Sequence, residues 1–370
     1  MTRARPRLLV LACAMLLAGC AGTIVDPGAP SLAELPLGVW VEVPLGGDAR
    51  CADGSAYAVQ VRRGDPDALI VSFQGGGATW GRVDGVSPEL LRLVGGLYVP
   101  RVTTVAASGL ASPPADDALA GPTQVLVSYC SGDVHWGDAD GVAGTGEAIT
   151  QRGAANVRAA LGWLGDQDLT PSELTIVGCS AGAYGALLWT PSLQARYPHA
   201  SRSLLLDAGL GVVQAPFVTG EVGLASWRID GAFAENGVAE LLEAIDVGYF
   251  ERLVAAVAGD FDGPIGIAST DRDLVQAVFW YLTGEEGSGF RIDPDLTTWS
   301  DAAMERIAAL GRTPGVSTFV SDWRPSWAPI GTTGHCFTEH NDLWRAAGEP
   351  FRAWWAALRA GSVPASIDLR

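Results

Sequence analysis

The sequence predicts an α/β protein built on a mostly parallel sheet flanked by helices, with a helical insertion in its second half. Three observations predict it. Short apolar runs rich in β-branched residues recur along the chain, stretches of helical period alternate with them, and residues 212–262 are apolar and helical without a clear strand. Runs of that kind suit strands covered on both faces. Strand–helix alternation supplies the crossovers that make neighbouring strands parallel. With 370 residues, 48% hydrophobic and 18% charged, the chain can bury a large core, which excludes wholesale disorder. The formal charge is −17 and every basic residue is Arg. Such a surface lacks the cationic face that nucleic-acid binding needs.

The elements follow in order. Residues 39–43 and 57–61 alternate as an antiparallel hairpin around Cys51-Ala-Asp-Gly54. Strands are then expected at 68–73, 102–105, 124–129, 174–177, 203–206, 265–268 and 316–320. Helices are expected at 146–164, 183–197, 274–282, 301–310 and 343–358, where apolar residues fall at helical spacing. Residues 212–262 read as an insertion or lid over the sheet. A single domain over 37–370 accommodates all of this, since α/β domains of that size are common.

Ahead of the domain, Arg3, Arg5 and Arg7 precede an unbroken apolar run at 8–18. That run is too short to span a bilayer, which takes about 20 residues. A basic start, an apolar middle and small residues at the cut have the form of a secretory signal over residues 1–19. Leu17-Ala18-Gly19-Cys20 looks like a bacterial lipobox, so Cys20 is the expected lipidation site; a signal cut near Ala21 is the alternative. Residues 20–36, rich in Gly, Pro and Ala, would tether the domain. An exported protein of the bacterial cell envelope, touching the membrane only through its lipid anchor, is the expectation, and a monomer with it. Cys51, Cys130, Cys179 and Cys336 remain for the domain. Export favours disulfides, three full pairings are open, and no CxxC spacing suits zinc, so no metal site is expected.

The sharpest chemical signal is Gly178-Cys179-Ser180-Ala181-Gly182, directly between an expected strand and an expected helix. A turn this tight strains the serine backbone, lifts its hydroxyl above the sheet and aims a helix N-terminus at it. A glycine-rich turn whose Ser merely caps the helix is the plainer reading. A nucleophilic Ser needs a base, and there are four histidines. His335 lies on a loop after the last expected strand, where α/β-hydrolases carry theirs. His340, five residues on, competes; His135 follows a strand end, and His199 reads as a solvated cap. The acid is expected at Asp273, with Asp271 its close rival and Asp207 a third candidate, each of which could instead cap a helix or bind loop backbone. Phe73-Gln74-Gly75-Gly76-Gly77 follows an early core strand. With no Cβ in the way, N–H groups there and at Ala181 could receive a developing oxyanion. A phosphate cradle is disfavoured, since no G-K-[ST] follows.

Six segments, in order, resemble the pectin acetylesterase/Notum family: Cys51-Ala-Asp-Gly-Ser55, Phe73-Gln-Gly-Gly-Gly77, Tyr129-Cys-Ser-Gly-Asp133, Gly178-Cys-Ser-Ala-Gly182, Asp273-Leu-Val-Gln276 and Gly334-His-Cys336. The resemblance covers roughly residues 50–340. It implies an α/β-hydrolase-like core that removes acyl groups from oxygen, with Ser180 as nucleophile, Asp273 as acid, His335 as base, and Gly76, Gly77 and Ala181 as oxyanion donors. No cofactor is implied. Gln74 and the Ala78-Thr79-Trp80 stretch depart from the family pattern, so the acyl pocket and the substrate do not carry over. An O-acylated polysaccharide is the expected substrate. A longer-chain lipase-like esterase, suggested by the apolar 212–262 segment, and a non-catalytic glycan-binding lipoprotein are the alternatives. Trp80 and Trp136 lie in motif loops, where a flat ring could stack on a sugar, although packing is an equal reading. Cys51–Cys130 is the preferred disulfide, both residues lying near strand ends in an exported chain. Cys179 and Cys336 adjoin the nucleophile and base, and their bonding is left open.

Overall fold

The computed structural model describes residues 28–81, 97–105, 107–143, 146–221, 223–284 and 296–370. The signal segment and Cys20 lie outside the described residues. Among the described residues, nine strands form the main sheet: β1 (Trp40–Arg50), β2 (Ala56–Arg62), β3 (Asp65–Phe73), β4 (Pro122–Val127), β7 (Glu173–Cys179), β8 (Ser201–Asp207), β9 (Ile265–Thr270), β10 (Val316–Ser321) and β11 (Ile367–Leu369). Their order is β1-β2-β4-β3-β7-β8-β9-β10-β11. The β1–β2 hairpin and the β2–β4 pair are antiparallel. From β4 across to β11 every pairing is parallel.

The central strands explain why those runs are apolar throughout. Val71, Ile176, Leu204 and Ile265 are fully buried, because helices lie against the sheet and leave neither face wet. Burying each such side chain stabilises the fold by about 1.5–3 kcal/mol. Helix α1 (Gly153–Gly165) packs beside the β1 hairpin, and α2 (Ala181–Arg196) runs back along β7 and β8. After β8 come three short helices, α3 (Ala215–Thr219), α4 (Asp230–Glu235) and α5 (Tyr249–Asp260). Then follow α6 (Leu274–Leu282), α7 (Thr297–Leu310) and α8 (Glu349–Arg359).

Four readings of the sequence are corrected. Residues 102–105 form no strand; the places beside β3 are taken by β4 and β7, and the segment instead passes as a loop where Gln74 Nε2 donates to Thr103 Oγ1. The helix expected from 146 begins at Gly153, because residues 148–151 pair as β6 with β5 (Ala139–Val142) in a separate hairpin. The helix expected over 343–358 starts only at Glu349, after two short 3-10 turns. The tether does not extend to 36: Leu32 and Leu35 are buried, Trp163 Nε1 donates to the Pro30 carbonyl, and Leu32 N–H donates to Gln167 Oε1. No described helix is long and apolar enough to cross a membrane.

Candidate active site

The C-terminal ends of β3, β7, β8 and β9 converge, and the candidate residues stand there. In open α/β sheets this edge is where loops can build a site. Ser180 sits on the turn from β7 to α2 with φ 53° and ψ −125°, outside the comfortable region for a residue with a side chain. The residue is partly exposed. The flanking glycines are required by space. An added Cβ on Gly182 would stand 1.9 Å from the Phe73 carbonyl oxygen, and one on Gly178 would stand 2.1 Å from that of Gly182.

Register brings the glycine loop to the serine. Phe73 pairs with Gly178, so the chain leaving β3 emerges beside the turn. Gly77 has φ 77° and bridges to Tyr98. That bridge uses Ala78 N–H and the Gly76 carbonyl, leaving the Gly77 N–H outside the pairing. The Tyr129 hydroxyl donates to the Gly77 carbonyl at 2.8 Å and fixes the peptide. Ala181 opens α2, so its N–H has no acceptor within the helix. Gly77, Ser180 and Ala181 border one cavity, whereas Gly76 lies a residue back, against the Tyr129 ring.

Asp273 and His335 meet after β9. Asp273 is fully buried and caps α6, its Oδ1 accepting from Gln276 N–H. Its Oδ2 accepts from Gln276 Nε2 at 2.9 Å and from His335 Nδ1 at 2.7 Å. The capping role and the pairing role therefore coexist in one carboxylate. The loop before His335 is tied to the end of β9: Thr333 N–H donates to the Arg272 carbonyl, and Thr270 Oγ1 donates to the Gly334 carbonyl. Burial pulls the His335 imidazole down, but Asp273, Glu339 and Asp207 outweigh it and hold its pKa above the ordinary value.

A disulfide joins Cys179 to Cys336, with Cα atoms 5.8 Å apart. It links the residue before Ser180 to the residue after His335, a bond that sequence reasoning left open. The second disulfide is Cys51–Cys130, the pairing preferred from the sequence. The two sulfurs of Cys179 and Cys336 lie within 4.8 Å of a His335 ring nitrogen. Bonded to each other, they are not the thiolates a soft metal ion takes.

The rival residues occupy other places. His340 is turned back on its own segment, one ring nitrogen 3.0 Å from the His335 carbonyl, which fixes the loop and caps no helix. Asp271 faces Arg272 at 3.9 Å. Asp207 binds the backbone and hydroxyl of Thr338. His135 is buried behind the glycine loop and its Nε2–H donates to the Gln74 carbonyl. Burial drives that imidazole down to about 4. Neighbouring Asp133 is pushed up to about 6 by burial while accepting from Ser131, His135 and Gly153.

The two motif-loop tryptophans are buried rather than open to solvent. Trp136 is fully buried, packed edge-on to Tyr184 and Phe233, with Nε1 donating to the Tyr184 carbonyl. Trp80 is 8% exposed and edge-on to Phe217. Both rings line the cavity beside Ser180, with Phe217, Trp227, Tyr249 and Phe279. The cavity holds about 70 Å³. Phe217 and Trp227 come from the segment after β8, within the apolar 212–262 stretch that the sequence reads as an insertion or lid.

A parallel sheet with a strained serine between strand and helix, and an acid–histidine pair on the loops beside it, defines an α/β-hydrolase. Residues 39–222 match the family described as Pectinacetylesterase. Among solved structures it is similar to the Wnt deacylase Notum from Drosophila, with a TM-score of 0.52 and 15% identity over 89% of this chain and 97% of that one. A likeness at that identity speaks for the fold. Comparison with curated proteins finds no match. The family supports an acyl-removing carboxylic-ester hydrolase, and two disulfides agree with an exported one.

Proposed function

We propose that the protein is a serine esterase that removes short acyl groups, acetyl foremost, from an O-acylated polysaccharide or similar substrate, with Ser180, His335 and Asp273 as its triad. The observation that carries this reading is the paired Asp273–His335 side chains held next to the Ser180 turn by the Cys179–Cys336 bond. His335 Nδ1 is engaged by Asp273, which leaves Nε2 to take the Ser180 proton as Oγ attacks the ester carbonyl. The N–H groups of Gly77 and Ala181, with Gly76 adjoining, receive the oxyanion; losing one such donor typically costs about 3 kcal/mol of barrier. Collapse expels the alcohol, protonated by His335. A water activated by the same imidazole then releases the acid. Asp273 holds the ring in one tautomer and stabilises its cation.

The cavity supports the short acyl group. A water-sized occupant needs about 10–15 Å³ on this measure, so 70 Å³ suits a chain of a few carbons. The longer-chain reading draws on the same apolar walls and requires Phe217 or Trp227 to move. Cys20 remains the proposed lipid attachment point of an exported, monomeric envelope protein. Purified enzyme is expected to hydrolyse p-nitrophenyl acetate, with rates falling from C2 toward C12 esters. Ser180→Ala should lose at least about 10³-fold in kcat. Equal turnover by wild type and Ser180→Ala contradicts the nucleophile, and undiminished C12 hydrolysis contradicts the acyl preference.

A further inference from the structure

Asp207 is an acid candidate that the proposed triad does not use, yet it touches both halves of it. It ends β8 and is fully buried. Its main-chain carbonyl accepts from Ser180 N–H at 2.8 Å, on the nucleophile turn. Its carboxylate reaches the other way: Oδ2 accepts from Thr338 N–H and from Thr338 Oγ1, each at 2.7 Å, three residues beyond His335. Cys336 Sγ lies 3.9 Å from the Asp207 carbonyl oxygen. Oδ1 is buried and makes no hydrogen bond among the described residues. A carboxylate half-satisfied in an apolar setting is expensive to keep there, and a simple loop anchor could be a neutral Asn.

We propose that Asp207 is a positioning residue for the proposed hydrolysis: it holds the segment after His335 against the Ser180 turn, and its negative charge favours the imidazolium that forms as Ser180 gives up its proton. This rests on the serine-esterase reading above. The charged and titratable groups facing His335 are Asp273 from the loop after β9, Asp207 from β8, and Glu339 and His340 from its own segment. Asp207 in turn faces His335 and Glu339. Burial raises the Asp207 carboxyl to about 6. It is therefore ionised above that pH, where the neutral imidazole must work as a base.

The test compares Asp207→Asn, Thr338→Val and Thr338→Ser with wild type on p-nitrophenyl acetate, reading kcat, KM and the pH profile of kcat/KM. Asp207→Asn keeps an acceptor for Thr338 and removes the charge. It is expected to lower kcat about tenfold with KM within twofold, and to move the acid limb of the profile to lower pH by about half a unit. Thr338→Val should lower kcat with the limb unmoved, and Thr338→Ser should restore it. An Asp207→Asn enzyme with wild-type kcat and an unmoved limb overturns the proposal. If Asp207→Asn does not fold, a Thr338→Val enzyme with wild-type kcat overturns the positioning claim. Absence of any Ser180-dependent turnover in wild type would instead defeat the esterase reading itself.

Discussion

Asp273 shows why a sequence leaves its acids unresolved. Asp207 ends a strand, Asp273 caps a helix and Asp271 lies in the turn just before it, three places where an Asp commonly serves the backbone. Only the direction of a carboxylate separates them, and that depends on the 333–335 loop docking through Thr333 and Gly334. His335 is preferred over His340 on chain position alone, and it is the docking of the same loop that sets their rings apart. At this scale His135 makes a testable statement about pH. Its folded value is depressed to about 4 from an ordinary 6.5. The unfolded chain thus takes up a proton that the folded chain refuses, and His135 removes stability as pH falls from about 6.5 toward 4. Asp133 and Asp207, both raised to about 6, act oppositely as pH falls from there toward 3.8. Comparison with a variant isolates the histidine. His135→Gln, which can still donate to the Gln74 carbonyl, is expected to gain about 2 kcal/mol on wild type between pH 8 and pH 4.5 in urea unfolding. An unchanged difference between the two proteins across that range counts against the assignment.

Elements were legible where a local physical demand writes itself into residue types. The strand–turn–helix around Ser180 was one, because only glycine fits where the Gly182 Cα faces the Phe73 carbonyl. The buried parallel strands were another, being apolar on both faces. What failed was decided by distant partners. Residues 148–151 carry apolar side chains at a spacing a helix could use, yet they pair with 139–142. Residues 30–35 look like a linker until Gln167 and Trp163 engage them. For the elbow, Gly182→Ala is expected to destabilise by about 3 kcal/mol, through overpacking against β3, and to abolish esterase turnover. A variant with wild-type stability in denaturant unfolding would show that the turn has more room than its geometry gives.

Across the whole molecule, two disulfides staple chain segments far apart, one of them at the site. Cys51–Cys130 and Cys179–Cys336 close separations of 79 and 157 residues. On the chain-entropy account each contributes about 4–5 kcal/mol. Replacing Cys179 and Cys336 together by Ala should lower kcat more than KM rises, because the loop bearing His335 loses its covalent tie to the nucleophile turn. Equal loss from replacing Cys51 and Cys130 would make the effect one of general stability. The segment after β8 acts on specificity. Phe217→Ala should raise the C8-to-C2 rate ratio roughly tenfold by opening the cavity wall, and an unchanged ratio would move the acyl site elsewhere.

The central claim, that Ser180 is a nucleophile activated by His335, is tested most directly by fluorophosphonate labelling read out by peptide mass mapping. The account predicts a single adduct on the peptide containing Ser180 in wild type, and none in His335→Ala. An unlabelled wild-type protein, or an adduct formed equally without the imidazole, would contradict it.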